Sequence, residues 1–414
     1  MSMTSTGAAG RAAPIPLRRA HLIVATAFAV HGAVSGTFAG RIPWIKDHLE
    51  LSPGALGLAL VCPAIGSSLM MPLAGRLMHR FGSRTALRTL LTLWCAVLAL
   101  PPLAPGLPWL CLTLFAVGAA AGMADVVMNA LGVAVEEHKG RSIMSGLHGM
   151  WSVGTLIGAA ISVPAAHAGL DGRIHLGAMS ALLAVVALVV CTGAPDVRPA
   201  ADESAPPRFA LPPRSALVIG AVGFCGVFAE GASADWCAVY LRDVASASPA
   251  VAALAYTAFA CTMATARLLG DLVVRRLGAV TTLRCGGVIA TVGGTLVVVA
   301  HTPAPAIAGF AMLGVGVSVV VPLCFGAAGR RGPVPSQAIA GVATVTYTSG
   351  LVAPAAIGGI AGASSLTVSF GLVTALTLGV VLGAGVVRPS GGKDVADPTV
   401  PAGVPAATGG TPAE

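Results

Sequence analysis

Apolar runs of near-constant length recur along the whole chain. The stretches 22–40, 54–75 and 250–266 each approach the ~20 residues that cross about 30 Å of hydrocarbon as a helix. Only 10% of the 414 residues are charged, against roughly 25% in an average soluble domain, too few to cover a water-soluble surface. The chain is therefore expected to sit in a bilayer, where 53 glycines suit helices packed through small-residue faces. Its nine cysteines fall inside or beside apolar segments and none forms a Cys-x-x-Cys pair. They read as small core residues, not as a zinc site, redox motif or disulfide framework. The formal charge of +8 does not point to nucleic acid, because the basic residues sit mostly in short loops between apolar spans.

Splitting the chain at Gly, Pro and charge clusters predicts twelve spans: 20–40, 54–75, 85–101, 108–133, 144–166, 175–193, 215–236, 249–269, 280–300, 304–327, 336–360 and 365–387. The first is too long for a signal-peptide core of about 7–15 residues and leads straight into further spans, so it reads as an uncleaved helix. An all-α membrane protein with two six-helix bundles, 20–194 and 215–388, is expected. A tail at 1–19, a Pro-rich and charged linker at 195–214 and a disordered tail at 389–414 flank them, the last rich in Gly, Pro and Ala. With the N-terminus in the cytoplasm, 20 of the 24 Lys and Arg fall on the cytoplasmic side, counting Arg267, Arg275, Arg276 and Arg284 near the eighth span. Only Arg41, Lys46, Arg173 and Arg242 lie outside, an asymmetry that places both termini in the cytoplasm under the positive-inside rule.

Sliding the chain on itself by 196 residues aligns Lys46-Asp47 with Arg242-Asp243 and Ser52-Pro53 with Ser248-Pro249. Arg80 falls on Arg276, Gly82 on Gly278, Arg88 on Arg284, Trp151 on Tyr347 and Gly154 on Gly350. Charged, Pro and aromatic matches at one ungapped offset predict two parallel halves that rock about a midplane site.

The loop after the second span runs Gly75, Arg76, Leu77, Met78, His79, Arg80, Phe81, Gly82, Ser83, Arg84. It resembles the signature of the major facilitator superfamily in this loop, with His79 where the family has Asp. A degenerate copy containing Arg275, Arg276 and Gly278 follows the eighth span. The resemblance implies that these glycines and basic residues gate the cytoplasmic side, with Glu136 and Glu137 as substitute acidic partners. Positive-inside anchoring is the competing reading of the arginines. The runs Arg41-Ile42-Pro43, Asn129 to Glu136, Ser142 to His148 and Glu230 to Trp236 further resemble a poorly characterised bacterial branch related to fucose permease. That resemblance implies a multi-pass protein of the bacterial inner membrane, in contact with lipid and acting as a monomer.

Ionisable groups inside spans are functional candidates by default. Asp125 leads, since it lies deep in the fourth span and shares a helical face with Asn129; fucose permease uses an acid at this spacing for proton coupling. A structural Asp joining two helices is the alternative. Glu230 is a second candidate for coupling or binding, while Asp235 lies about 140° around the seventh helix from it and could instead pair with Arg41 or Arg242. His31 and His148 lie in spans that line the cavity in this superfamily, and Trp151 and Ser152 extend the face of His148. Together with Asn129, Asp235, Trp236 and Tyr347 they are candidate substrate contacts, each also readable as packing.

No nucleotide loop, zinc motif or nucleophile elbow is visible, so neither an enzyme nor a cofactor is expected. A proton-coupled importer of a small polar metabolite, a sugar or polyol, is one expectation and proton-driven efflux the other. Exporters of the family often carry a Gly-x-x-x-Gly-Pro motif in the fifth helix; here Gly158 is followed by Ala159, which favours uptake.

Overall fold

The computed structural model describes residues 16–51, 53–196, 214–331 and 335–388. The linker between the halves and both tails therefore lie mostly or wholly outside the described residues. Within these residues the chain is helical, and twelve helices are long and apolar enough to cross a membrane. They are Leu17–Ala39, Ala55–Phe81, Ser83–Leu103, Leu107–Lys139, Met144–Ala166, Gly172–Cys191, Ala216–Asp243, Leu254–Leu277, Ala279–Val299, Pro303–Gly329, Gln337–Ala363 and Leu366–Val387.

Packing follows the 196-residue repeat. The second span packs closely on the fourth and the first on the fifth; the eighth packs on the tenth and the seventh on the eleventh. Small residues make this possible, as in hydrocarbon, where van der Waals contact between helices replaces the hydrophobic effect. A Cβ on Gly118 would overlap the Pro63 carbonyl of the second span, and one on Gly154 would overlap the Ala29 carbonyl of the first.

Turns repeat as well. Gly82 and Gly278 open the third and ninth spans at φ 79° and 77°, a region open to glycine and rarely to other residues. Each amide donates to a carbonyl four residues back, Met78 at 2.9 Å and Val274 at 2.8 Å. Glu50 and Ser246, again 196 apart, both adopt positive φ, at 50° and 51°. Gly82 and Gly278 are thus needed by the backbone, independent of any gating role.

Several helices run past the expected bounds or break within them, and four of these departures bear on the site. The fourth runs to Lys139, about a turn and a half past the expected end at 133, and carries Glu136 with it. The eighth spans Pro249–Leu277, eight residues beyond 269. Arg267 therefore lies ten residues from that helix end, about 15 Å at 1.5 Å per residue, and not at the cytoplasmic surface where the charge count placed it. The tenth span is broken into Pro303–Val317 and Val320–Gly329. The cause is Pro322, which has no amide hydrogen to donate to the Ser318 carbonyl. A break at Thr348 divides the eleventh span, in a stretch where Thr344, Thr348 and Ser349 bond back to carbonyls of the preceding turn.

Candidate functional site

Between the halves lies a cavity of about 230 Å³. Its lining is built from repeat-related positions. His31 and Val227, Met71 and Arg267, Asp125 and Val321, and Trp151 and Tyr347 are four pairs separated by 196 residues, and all eight residues face it. In three of the pairs one half supplies an ionisable residue and the other an apolar one. The pseudo-symmetric backbone thus holds an asymmetric set of chemical groups.

Asp125 lies about 14 residues from the end of its helix, about 21 Å deep, and is buried at 8% exposure. Its Oδ1 accepts from Asn129 Nδ2 at 3.1 Å, and its Oδ2 accepts from the Tyr347 hydroxyl at 3.3 Å. The second bond crosses from one half to the other. Among the described residues no basic side chain forms an ion pair with Asp125. Asn129 is fully buried behind it, and because its amide nitrogen donates to Asp125, its oxygen accepts from His148 Nε2 at 3.2 Å. His148 is thereby set as the Nε2-protonated tautomer. Its ring stands edge-on to Phe28, with centroids 5.3 Å apart.

His31 is fixed in the same way. Nδ1 accepts from Trp151 Nε1 at 3.1 Å, so Nε2 carries the proton and donates to the Ala121 carbonyl at 3.2 Å. Trp151 and Tyr347, repeat mates, each use their single polar hydrogen to orient an ionisable group of the first half. The sequence reading of an aromatic face suited to a ligand misses this second task.

Arg267 is the residue that sequence reasoning misplaced. Its Nη2 donates to both oxygens of Glu230 at 2.9 Å, and Nη1 donates across the halves to Ser152 Oγ at 3.2 Å. Nε reaches the Ser318 carbonyl at 3.4 Å, the acceptor that Pro322 leaves free. The usable signal was the unbroken helical pattern through Leu277, which buries any charge at 267. Glu230, expected as a second coupling carboxylate, is thus charge-compensated, whereas Asp125 is not. Ser152 supports Arg267 and lies outside the cavity lining. Asp235 is exposed and Trp236 packs near Gly358; neither lines the cavity, and Arg41 bonds to His175 Nδ1 at 3.0 Å in place of Asp235.

Residues 24–233 match the family model described as Major Facilitator Superfamily. The chain belongs to that superfamily. A Yersinia pestis protein described as an uncharacterized MFS-type transporter is 35% identical over 80% of this chain and 86% of its own length. An uncharacterized transporter of Sinorhizobium fredii is 32% identical over 81% of this chain and 89% of its own length. Among solved structures, FucP in the outward conformation superposes with a TM-score of 0.75 at 15% identity, covering 89% of this chain and 98% of FucP. A double-tryptophan mutant of XylE superposes at 0.71, with 15% identity and coverage of 91% and 97%.

Like other members of the superfamily, this transporter has two halves that meet, here at the end that carries most of its basic loops. The fifth helix begins at Met144, and its first amides need acceptors. Glu136 takes those of Ile143 at 2.8 Å and Met144 at 3.0 Å. Asp271, from the opposite half, takes those of Ser145 at 3.0 Å and Gly146 at 2.6 Å, with the Ser142 hydroxyl at 2.9 Å. Two carboxylates therefore cap one positive helix end, and one of them reaches over from the other half. Arg330 pairs with Glu136 at 3.1 Å and Arg275 donates to the Ser142 carbonyl at 3.2 Å, both across the halves.

Of the expected gating residues, Arg275 joins the halves. Arg84 instead donates to the Ala194 carbonyl at 2.6 Å within the first half, Arg80 lies over the Phe81 ring, and Arg276 is exposed. His79 has partners of its own, and Gly75 is buried in the second helix. Asp271→Ala removes a cap that only the closed arrangement supplies, so cavity cysteines should become accessible from the basic end. Labelling rates at a cysteine placed at Met128 measure this, and an unchanged rate would show that Asp271 does not hold the halves together.

Proposed function

We propose that this transporter moves a small polar metabolite, a sugar or polyol, across the bacterial inner membrane by alternating access, together with a proton carried by Asp125. The observation that carries the reading is the environment of Asp125: a carboxyl at mid-membrane depth whose hydrogen-bond partners are neutral donors, one from each half. An uncompensated carboxylate is costly there, and a proton removes the charge. Because the Tyr347 bond spans the halves, their separation changes what Asp125 touches, which couples its proton to movement of the halves. Two fold neighbours, the fucose:proton symporter FucP and the proton:xylose symporter XylE, are in line with this reading.

Under the positive-inside rule the basic end faces the cytoplasm, so the arrangement described here is closed to the cytoplasm. A cysteine at Leu170 should then react with an impermeant maleimide added to intact cells, and one at Ala200 should not. The reverse pattern would invert the topology. The transport reading is tested in reconstituted vesicles with a panel of radiolabelled sugars and polyols. Accumulation above the equilibrium level when the outside is acidic, lost on adding a protonophore, is the expected result. Equilibration alone, whatever the gradient, would rule out proton coupling.

A further inference from the structure

The hydrogen-bond donors around the cavity are almost all engaged. His31 Nε2–H goes to Ala121, Trp151 Nε1–H to His31 and the Tyr347 hydroxyl to Asp125. His148 Nε2–H goes to Asn129, and each Arg267 nitrogen has a protein acceptor. Arg267 is also only 4% exposed, so its charge is not offered to a ligand. Ser67 alone adds a hydroxyl that can either donate or accept.

What remains facing the cavity is acceptors. The Glu230 side chain is 24% exposed, and both its oxygens bond to one arginine nitrogen, which leaves lone pairs directed elsewhere. His148 Nδ1 is unprotonated, because Nε2 holds the ring's hydrogen. Asp125 adds a third acceptor site when it has released its proton. The rest of the lining includes Phe28, Met71, Met128 and Val227, and the volume lies below the roughly 300–1,000 Å³ of drug-sized sites.

We infer that the cavity selects a compact polyhydroxylated ligand without negative charge, and that Glu230, held in place by Arg267, is the residue that anchors it by accepting from ligand hydroxyls. This rests on the transport reading and adds to it a division of labour between the two acids, Asp125 for the proton and Glu230 for the ligand. An anionic ligand would find no available cation, and its oxygens would meet carboxylate oxygens, an arrangement that is both repulsive and unsatisfied.

Charge-selective modification tests this without knowledge of the ligand. In a background whose native cysteines are replaced, Val227→Cys places a thiol on the cavity wall one turn from Glu230. The hydroxyethyl methanethiosulfonate should react at least about tenfold faster than the sulfonatoethyl reagent, after normalisation to a free thiol. Adding Glu230→Gln should cut that preference several-fold. Equal or faster reaction of the sulfonate, or a preference that ignores Glu230→Gln, overturns the inference; Ser67→Cys is the second position if Val227→Cys does not fold. Transport of a uronate in preference to its parent sugar would overturn it as well while leaving proton-coupled transport intact. The expected labelling without any transport would instead fault the transport reading.

Discussion

Asp125→Asn is expected to abolish gradient-driven accumulation while leaving substrate exchange largely intact. The amide keeps the size of the acid and can still accept from Asn129, and Tyr347 can remain in place. What it cannot do is gain and lose a proton, so the variant should behave as if permanently protonated. Counterflow in vesicles loaded with unlabelled substrate should stay within about threefold of wild type, a change of under 1 kcal/mol, while uphill uptake falls to background. Near wild-type uphill uptake would return Asp125 to a structural role. Tyr347→Phe is the companion variant: it removes the bond across the halves and leaves the carboxyl, so it should weaken coupling without eliminating it.

The second large effect is expected at Arg267. Arg267→Met installs the side chain found at its repeat mate, Met71, and leaves Glu230 without its counter-charge. Removing one partner of a buried pair costs roughly 3–5 kcal/mol, against about 0–1 kcal/mol for a surface arginine. The variant should therefore show a strongly lowered melting temperature in detergent. Adding Glu230→Gln removes the orphaned charge and should restore much of that loss, whereas transport should stay absent because the ligand anchor has gone. Two independent, additive effects on melting would mean that the pair is not coupled and that Arg267 serves as an ordinary anchor.

Local pattern made much of the molecule legible from the chain alone. Helical spans follow from apolar run length, because a bilayer satisfies no backbone polar group and each segment must bond within itself. The repeat was readable for a related reason: Gly82 and Gly278 serve the same positive-φ turn, so the backbone needs the same residue type at both. Asp125 stood out because a carboxylate within an apolar span is costly wherever the span packs.

The tertiary structure decided the partnerships. Glu230 and Arg267 are 37 residues apart on different helices, and nothing in the neighbourhood of either residue indicates the other. Whether Arg267 is a surface anchor or a buried cation depended on eight further residues of helix, a length that apolar patterning alone underestimates because helices continue past the hydrocarbon. The tautomers of His31 and His148 are set by Trp151 and Asn129, and Asp271 caps a helix of the opposite half. Hydropathy is a property of one segment, whereas hydrogen bonds and ion pairs act over about 3 Å between segments, so only the packed arrangement determines which of them form.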